Sequence, residues 1–96
     1  MSAEFDCVVC GEICIDLTIG PIDRSRPLLE QETARIEPIP VGTGGIVPNS
    51  GLALARMQQK SAALGCVGTD SWGQQLESQL AAGGLNTSSL RRLSEH

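Results

Sequence analysis

The sequence predicts an α/β domain, with a mostly parallel sheet, crossover helices and a proline-framed flap. Three observations carry this expectation. Short apolar runs bounded by glycine, at residues 5–10 and 62–67, read as buried strands. Helical patterns follow at residues 49–59 and from residue 71. The resulting order of strand, flap, glycine loop, helix, strand and helix suits parallel strands, which need a long crossover between them. A chain of 96 residues makes at most one domain and buries only about 60–65% of its extended surface.

Taken in order, Phe5-Asp6-Cys7-Val8-Val9-Cys10 is β-prone and stops at Gly11. A second apolar piece, Ile13 to Ile19, carries Asp16 in its middle. Gly20, Pro21, Asp23, Ser25 and Pro27 mark residues 20–33 as a loop. Pro38 and Pro40 confine residues 34–41 to a sheet edge or an exposed flap, because proline cannot donate to a ladder. Gly42-Thr43-Gly44-Gly45 is the sharpest break in the chain. Beyond it, Leu52, Ala53, Leu54, Ala55 and Met57 are apolar on most sides of a helix, which is therefore expected to be largely buried. In the last helix Ser71 and Gln74 have the spacing of a capping box, Trp72, Leu76 and Leu80 share one face, and Gly83-Gly84 is expected to end it with a left-handed cap.

Composition removes several function classes. The net charge is −4, and the seven basic residues are dispersed, with Arg91-Arg92 the only adjacent pair. Binding to a phosphate backbone needs clustered Lys and Arg, so no nucleic acid partner is expected. No run approaches the eighteen or so apolar residues of a membrane helix, and the acidic start is not that of a secretory signal, so the expectation is a cytoplasmic protein with no membrane partner. Phe5 and Trp72 are the only aromatics, so the core must be aliphatic.

Four cysteines raise the question of a metal. Along a strand Cys7 faces opposite to Cys10 and Cys14, so the three cannot converge on a tetrahedral ion, and His96 is a poor fourth ligand. Small buried hydrophobes is the better reading, and no metal site is expected.

The glycine loop before a helix leaves room for a ligand to approach the backbone. A dinucleotide fingerprint fails here, because the third glycine position is Val47 and Pro48 removes an amide from the cradle. No Walker lysine follows either. Taken singly, Asp16 could cap a turn and Asn49 could be a helix N-cap.

In combination the motifs resemble the first part of the PfkB (ribokinase-type) carbohydrate kinases. The resemblance rests on Gly11-Glu12 with Asp16, Gly44-Gly45 with Asn49, the run Gly65-Cys66-Val67-Gly68-Thr69-Asp70-Ser71-Trp72-Gly73, and Gly84-Leu85-Asn86-Thr87-Ser88, and it covers residues 7 to 90. It implies a partial ribokinase-like fold, with segments 17–20 and 34–41 as a small β lid that closes over a sugar and pairs with a second subunit. It also implies that Asp16 accepts hydrogen bonds from sugar hydroxyls, that Gly44 and Gly45 admit the sugar against the backbone, and that Asn49 donates and accepts toward the same hydroxyls. An ionised carboxylate is acceptor-only with two oxygens, which suits a pair of neighbouring hydroxyls. The run from Gly68 to Gly73 reads as structural, with Trp72 anchoring the helix.

The chain departs from the family pattern at Val47-Pro48, at Gln58 where a glycine is usual, and at Asn86 where an aspartate is usual. The family's general base, anion hole and nucleotide site belong to a Gly-Ala-Gly-Asp motif much later in the chain, and this sequence contains no such motif. The expectation is therefore the sugar-holding part of a kinase acting on a sugar or nucleoside. ATP and Mg2+ would serve the parent enzyme, the catalytic residues would lie beyond residue 96, and this segment alone would bind no cofactor and be inactive. The alternative is a non-catalytic α/β binding module of the same fold.

Overall fold

The computed structural model describes residues 4–30 and 36–94. It contains strands β1 (Cys7–Cys10), β2 (Cys14–Leu17), β3 (Val41–Gly44), β4 (Ser61–Leu64), β5 (Cys66–Gly68) and β6 (Arg91–Leu93). Two helices, α1 (Ile46–Arg56) and α2 (Ser71–Ala82), and a 3-10 turn at Leu28–Glu30 complete it. β1 pairs parallel with β4, Val9 opposite Ala63, and β5 pairs parallel with β6. Between them, the Asn86 amide donates to the Ser61 carbonyl and the Ala63 amide to that of Asn86, so a third parallel segment lies beside β4. The predicted single strand over 62–67 is broken at Gly65, where a Cβ would lie 2.8 Å from Ile13 Cδ1 and 3.0 Å from the Gly11 carbonyl. β2 and β3 form the separate antiparallel pair, Asp16 opposite Gly42 and Cys14 opposite Gly44.

The core lies between the parallel strands and the helices: Val9, Val47, Ala63, Val67, Leu76, Leu80, Leu85 and Leu90. It is aliphatic throughout, as the shortage of aromatics requires. Leu80 is fully buried, worth about 1.5–3 kcal/mol relative to an exposed leucine. Trp72 is not part of it; its side chain is 46% exposed, so Leu76 and Leu80 anchor the helix without it. At Gly73 the missing Cβ lets the first turn of α2 rest on the Gly68 carbonyl.

Helix ends differ from the sequence expectation in instructive ways. The N-cap of α2 is Asp70, whose Oδ1 accepts from the Gly73 amide at 2.9 Å, and Ser71 is already the first helical residue. An aspartate competes well for this place because its carboxylate also meets the positive end of the helix dipole. At the other end Gly84 takes φ +102, with Leu85 donating to the Leu80 carbonyl and Gly84 to that of Ala81. This is the left-handed cap that the glycine pair predicts.

Helix α1 begins at Ile46, three residues earlier than expected. Pro48 is compatible because a first-turn amide has no intrahelical acceptor to lose. α1 is also less buried than expected: Val47, Pro48 and Gly51 face inward, while Met57 is 62% exposed. It ends in the same motif as α2, Gln59 donating to the Leu54 carbonyl and Gln58 to that of Ala55, but with a glutamine at φ 63 in the left-handed position.

Candidate functional site

The site grows from the junction of β2, β3 and α1. Gly44 closes β3 and is buried beside Asp16: a Cβ there would lie 2.6 Å from Asp16 Oδ2 and 2.7 Å from Oδ1. The carboxylate thus rests on bare backbone that any other residue would obstruct. Gly42 to Gly44 is strand rather than the loop expected from its glycines. Gly45 supplies the turn, at φ +96 and ψ 175, and acts as N-cap of α1. A Cβ on Gly45 would lie 2.5 Å from the Glu12 carbonyl oxygen. That same carbonyl accepts from the Val47 amide at 3.1 Å, which ties the start of α1 to the β1–β2 connection.

Asn49 is not the helix cap. Its amide donates to the Gly45 carbonyl at 3.2 Å, one turn into α1, and its exposed side chain makes no hydrogen bond among the described residues. Asp16 is likewise exposed and accepts only from Cys14 Sγ, at 3.9 Å, among the described residues. Asp16, Gly44 and Gly45 are therefore gathered directly, and Asn49 follows on the adjoining turn with unused donor and acceptor capacity. Among the described residues this group lies on an open surface.

Three further residues contribute that the sequence reading left without a role here. Cys14 sits beside Asp16, and its thiol pKa is pushed up by partial burial and by the negative charges of Asp16 and Glu12. Its alternation with Asp16 along β2 gave no signal of proximity, since neighbours two apart on a strand also occur without contact. Glu12 acts through its backbone carbonyl, which no side-chain pattern reveals. Ile46, 63% exposed, packs its side chain toward Gly11 at the head of α1. Val47 and Pro48, where the family pattern departs, are both fully buried and plug the space beneath that head.

Residues that could hold a metal or nucleotide are a separate question. No cluster of three His, Cys, Asp or Glu suited to a metal occurs among the described residues. The four cysteines are free thiols, with Cys10 and Cys66 exposed rather than buried as small hydrophobes. No helix among the described residues is long and apolar enough to cross a membrane.

The flap segments meet as the antiparallel continuation of β2 and β3. Thr18 donates to the Pro40 carbonyl and Glu37 to that of Gly20. Residues 36–40 are not themselves regular strand, and residues 34 and 35 lie outside the described residues.

Comparison with solved structures gives the same architecture. The chain superimposes on a PfkB protein from Polaromonas sp. JS666 with TM-score 0.72 and 28% identity, covering 92% of this chain and 27% of that one. A fructokinase from Xylella fastidiosa gives TM-score 0.71 at 26% identity, covering 92% of this chain and 25% of that one. A sugar kinase from Pyrococcus horikoshii in complex with ATP shares the fold at TM-score 0.75 and 21% identity, with 93% and 27% covered. The chain thus spans about a quarter of the length of these structures. No curated protein matches it. The family model described as pfkB family carbohydrate kinase matches residues 5–96, and the chain belongs to that family.

Proposed function

We propose that this chain is the sugar-holding part of an ATP-dependent kinase for a carbohydrate or nucleoside. Asp16, Gly44, Gly45 and Asn49 contact the substrate in this reading. The observation that carries it is the seating of the Asp16 carboxylate over the bare backbone of Gly44, with a Cβ position only 2.6 Å from Oδ2. Such a group offers two acceptor oxygens beside a surface that a hydroxyl-bearing ring can approach closely. Asn49 adds an amide that both donates and accepts, and neither side chain is used as a helix cap. Gly45 makes the turn that brings α1 up to the carboxylate.

The β2–β3 hairpin and its extension act as the lid. Its exposed Leu17, Ile19 and Ile39, between 43% and 53% accessible, suit closure over a ligand or pairing with a second subunit.

Phosphoryl transfer requires a base for the attacking hydroxyl and charge stabilisation around the γ-phosphate. The start of α1 supports placing the nucleotide elsewhere, because it spends its Val47 amide on the Glu12 carbonyl and has proline at the next position. The catalytic base and nucleotide site accordingly belong beyond residue 96, and residues 1–96 alone are inactive. A coupled ATP-consumption assay tests this. Sugar-dependent turnover is expected from the full-length protein and none from residues 1–96; turnover by residues 1–96 refutes the division of labour, and silence of the full-length protein across sugars and nucleosides refutes the kinase.

A further inference from the structure

We infer that Cys14 is a positioning residue of the sugar site: its thiol holds the Asp16 carboxylate over Gly44, in the orientation that meets the substrate. This rests on the sugar-site reading above and adds to it the group that aims the carboxylate. Cys14 and Asp16 lie two apart on β2 and so share one face of the β2–β3 pair. The residue opposite Asp16 is Gly42, where a Cβ would meet nothing within 4 Å. The carboxylate therefore has open backbone directly across from it and does not use it. It lies instead beside Gly44, the partner of Cys14, its oxygens 2.6 and 2.7 Å from the position of a Cβ. The side chain leans along its own strand toward the thiol.

What it meets there is Cys14 Sγ, which donates to Asp16 Oδ1 at 3.9 Å and is the only donor to this carboxylate among the described residues. The thiol is half-buried while the carboxylate is exposed, so the donor is the better fixed of the two. The Gly44 backbone gives the sulfur a hydrogen bond from the other strand, so one sulfur joins β3 to the carboxylate. A thiol donates only while protonated. Burial and the charges of Asp16 and Glu12 raise its pKa, and the Gly44 bond offsets them only in part, so it stays a donor through neutral pH. Of the elements against β2, β3 and the first turn of α1 carry no charged side chain, and the one charge of α2, Glu77, is paired with Arg92. Once ionised, the thiolate has no proton to give and repels the carboxylate it held.

The full-length protein is titrated calorimetrically with D-fructose, D-glucose, D-ribose and adenosine, and the tightest binder is carried forward. Cys14→Ala is expected to weaken its binding by about two- to tenfold, the loss of one modest hydrogen bond. In an Asp16→Ala background the same change is expected to be silent, because the thiol acts through the carboxylate. A loss repeated in full in that background, as a general packing defect would give, overturns the inference, and so does unchanged affinity in Cys14→Ala. Thermal unfolding checks that the variants fold. A second reading needs no substitution in the reference protein: its affinity is expected to fall as pH rises above about 8.5, the ordinary thiol value. Cys14→Ser keeps a donor that does not titrate and is expected to lose that alkaline fall; the same fall in Cys14→Ser places its cause elsewhere and overturns the inference. The sugar-site reading fails separately, by no binding of any of the four compounds or by affinity that Asp16→Ala leaves untouched. Weaker binding in Asp16→Ala beside unchanged binding in Cys14→Ala removes the positioning role alone.

Discussion

At the scale of single residues, the site is organised by atoms that are missing. Gly44 and Gly45 have no Cβ where the Asp16 carboxylate and the Glu12 carbonyl stand, 2.6 and 2.5 Å from the positions a Cβ would take. Cys14 reports on this arrangement, because its thiol pKa is raised by partial burial first and by the Asp16 and Glu12 charges next. A raised pKa means less thiolate at a given pH, and the thiolate is the form that alkylates. At pH 8 Cys14 is therefore expected to react with iodoacetamide more slowly than a cysteine in a short peptide. Asp16→Asn, which removes one of the charges that raise the thiol pKa, should speed it. Peptide mass spectrometry measures the rate, and an unchanged rate in Asp16→Asn would place the carboxylate away from the thiol. Asp16, Gly44, Gly45 and Asn49 were singled out through the family resemblance, and the structure seats Asp16 beside Gly44. Cys14 and Ile46 were not, because their relevance comes from contact across strand and helix rather than from chemistry written in a motif.

At the scale of elements, the sequence marks the ends of α2 better than those of α1, which spans Ile46–Arg56 where residues 49–59 were expected. Gly83-Gly84 ends α2 as glycines should, whereas the start of α1 was displaced by three residues because Pro48 reads as a breaker and is in fact a first-turn residue. Asp70 and Ser71 are both good caps by type, and only the bond to the Gly73 amide decides between them. Gln58 is the most informative departure. It occupies, at φ 63, the left-handed position that a glycine takes at the end of α2. A side chain there costs about 1–2 kcal/mol, and glycine gives back about 0.5–1 kcal/mol through its looser unfolded chain. Gln58→Gly is thus expected to stabilise the fold by about 0.5–1 kcal/mol, seen as a raised midpoint in urea at unchanged slope. A lowered midpoint would mean that the Gln58 side chain contributes packing which outweighs its backbone strain.

At the scale of the whole molecule, the chain is long for its mass. Its radius of gyration is 17.0 Å, over extents of 62 × 32 × 18 Å, where a compact domain of this length has about 12 Å. The helices cover one side of the parallel strands, while Val8 at 52% and Leu64 at 39% remain exposed. The parallel α/β architecture was legible because a parallel sheet requires crossovers, and the alternation of short apolar runs with helical patterns displays them. β6 and the strand-like pairing of Asn86 were not, since Arg91-Arg92-Leu93 has no β signature and its pairing is set by the Gly65 carbonyl accepting from the Arg91 amide at 2.9 Å. The Arg92–Glu77 ion pair then links that strand to α2.

The claim on which the functional reading depends is that the carboxylate over Gly44 grips the substrate. Calorimetric titration of the full-length protein and its Asp16→Ala variant with the preferred sugar tests it most directly. Loss of a hydrogen bond to a charged group predicts binding weaker by about 1.5–3 kcal/mol, roughly ten- to 150-fold in Kd. Equal affinity in the two proteins would contradict the assignment of Asp16, and with it the site built around the glycine pair.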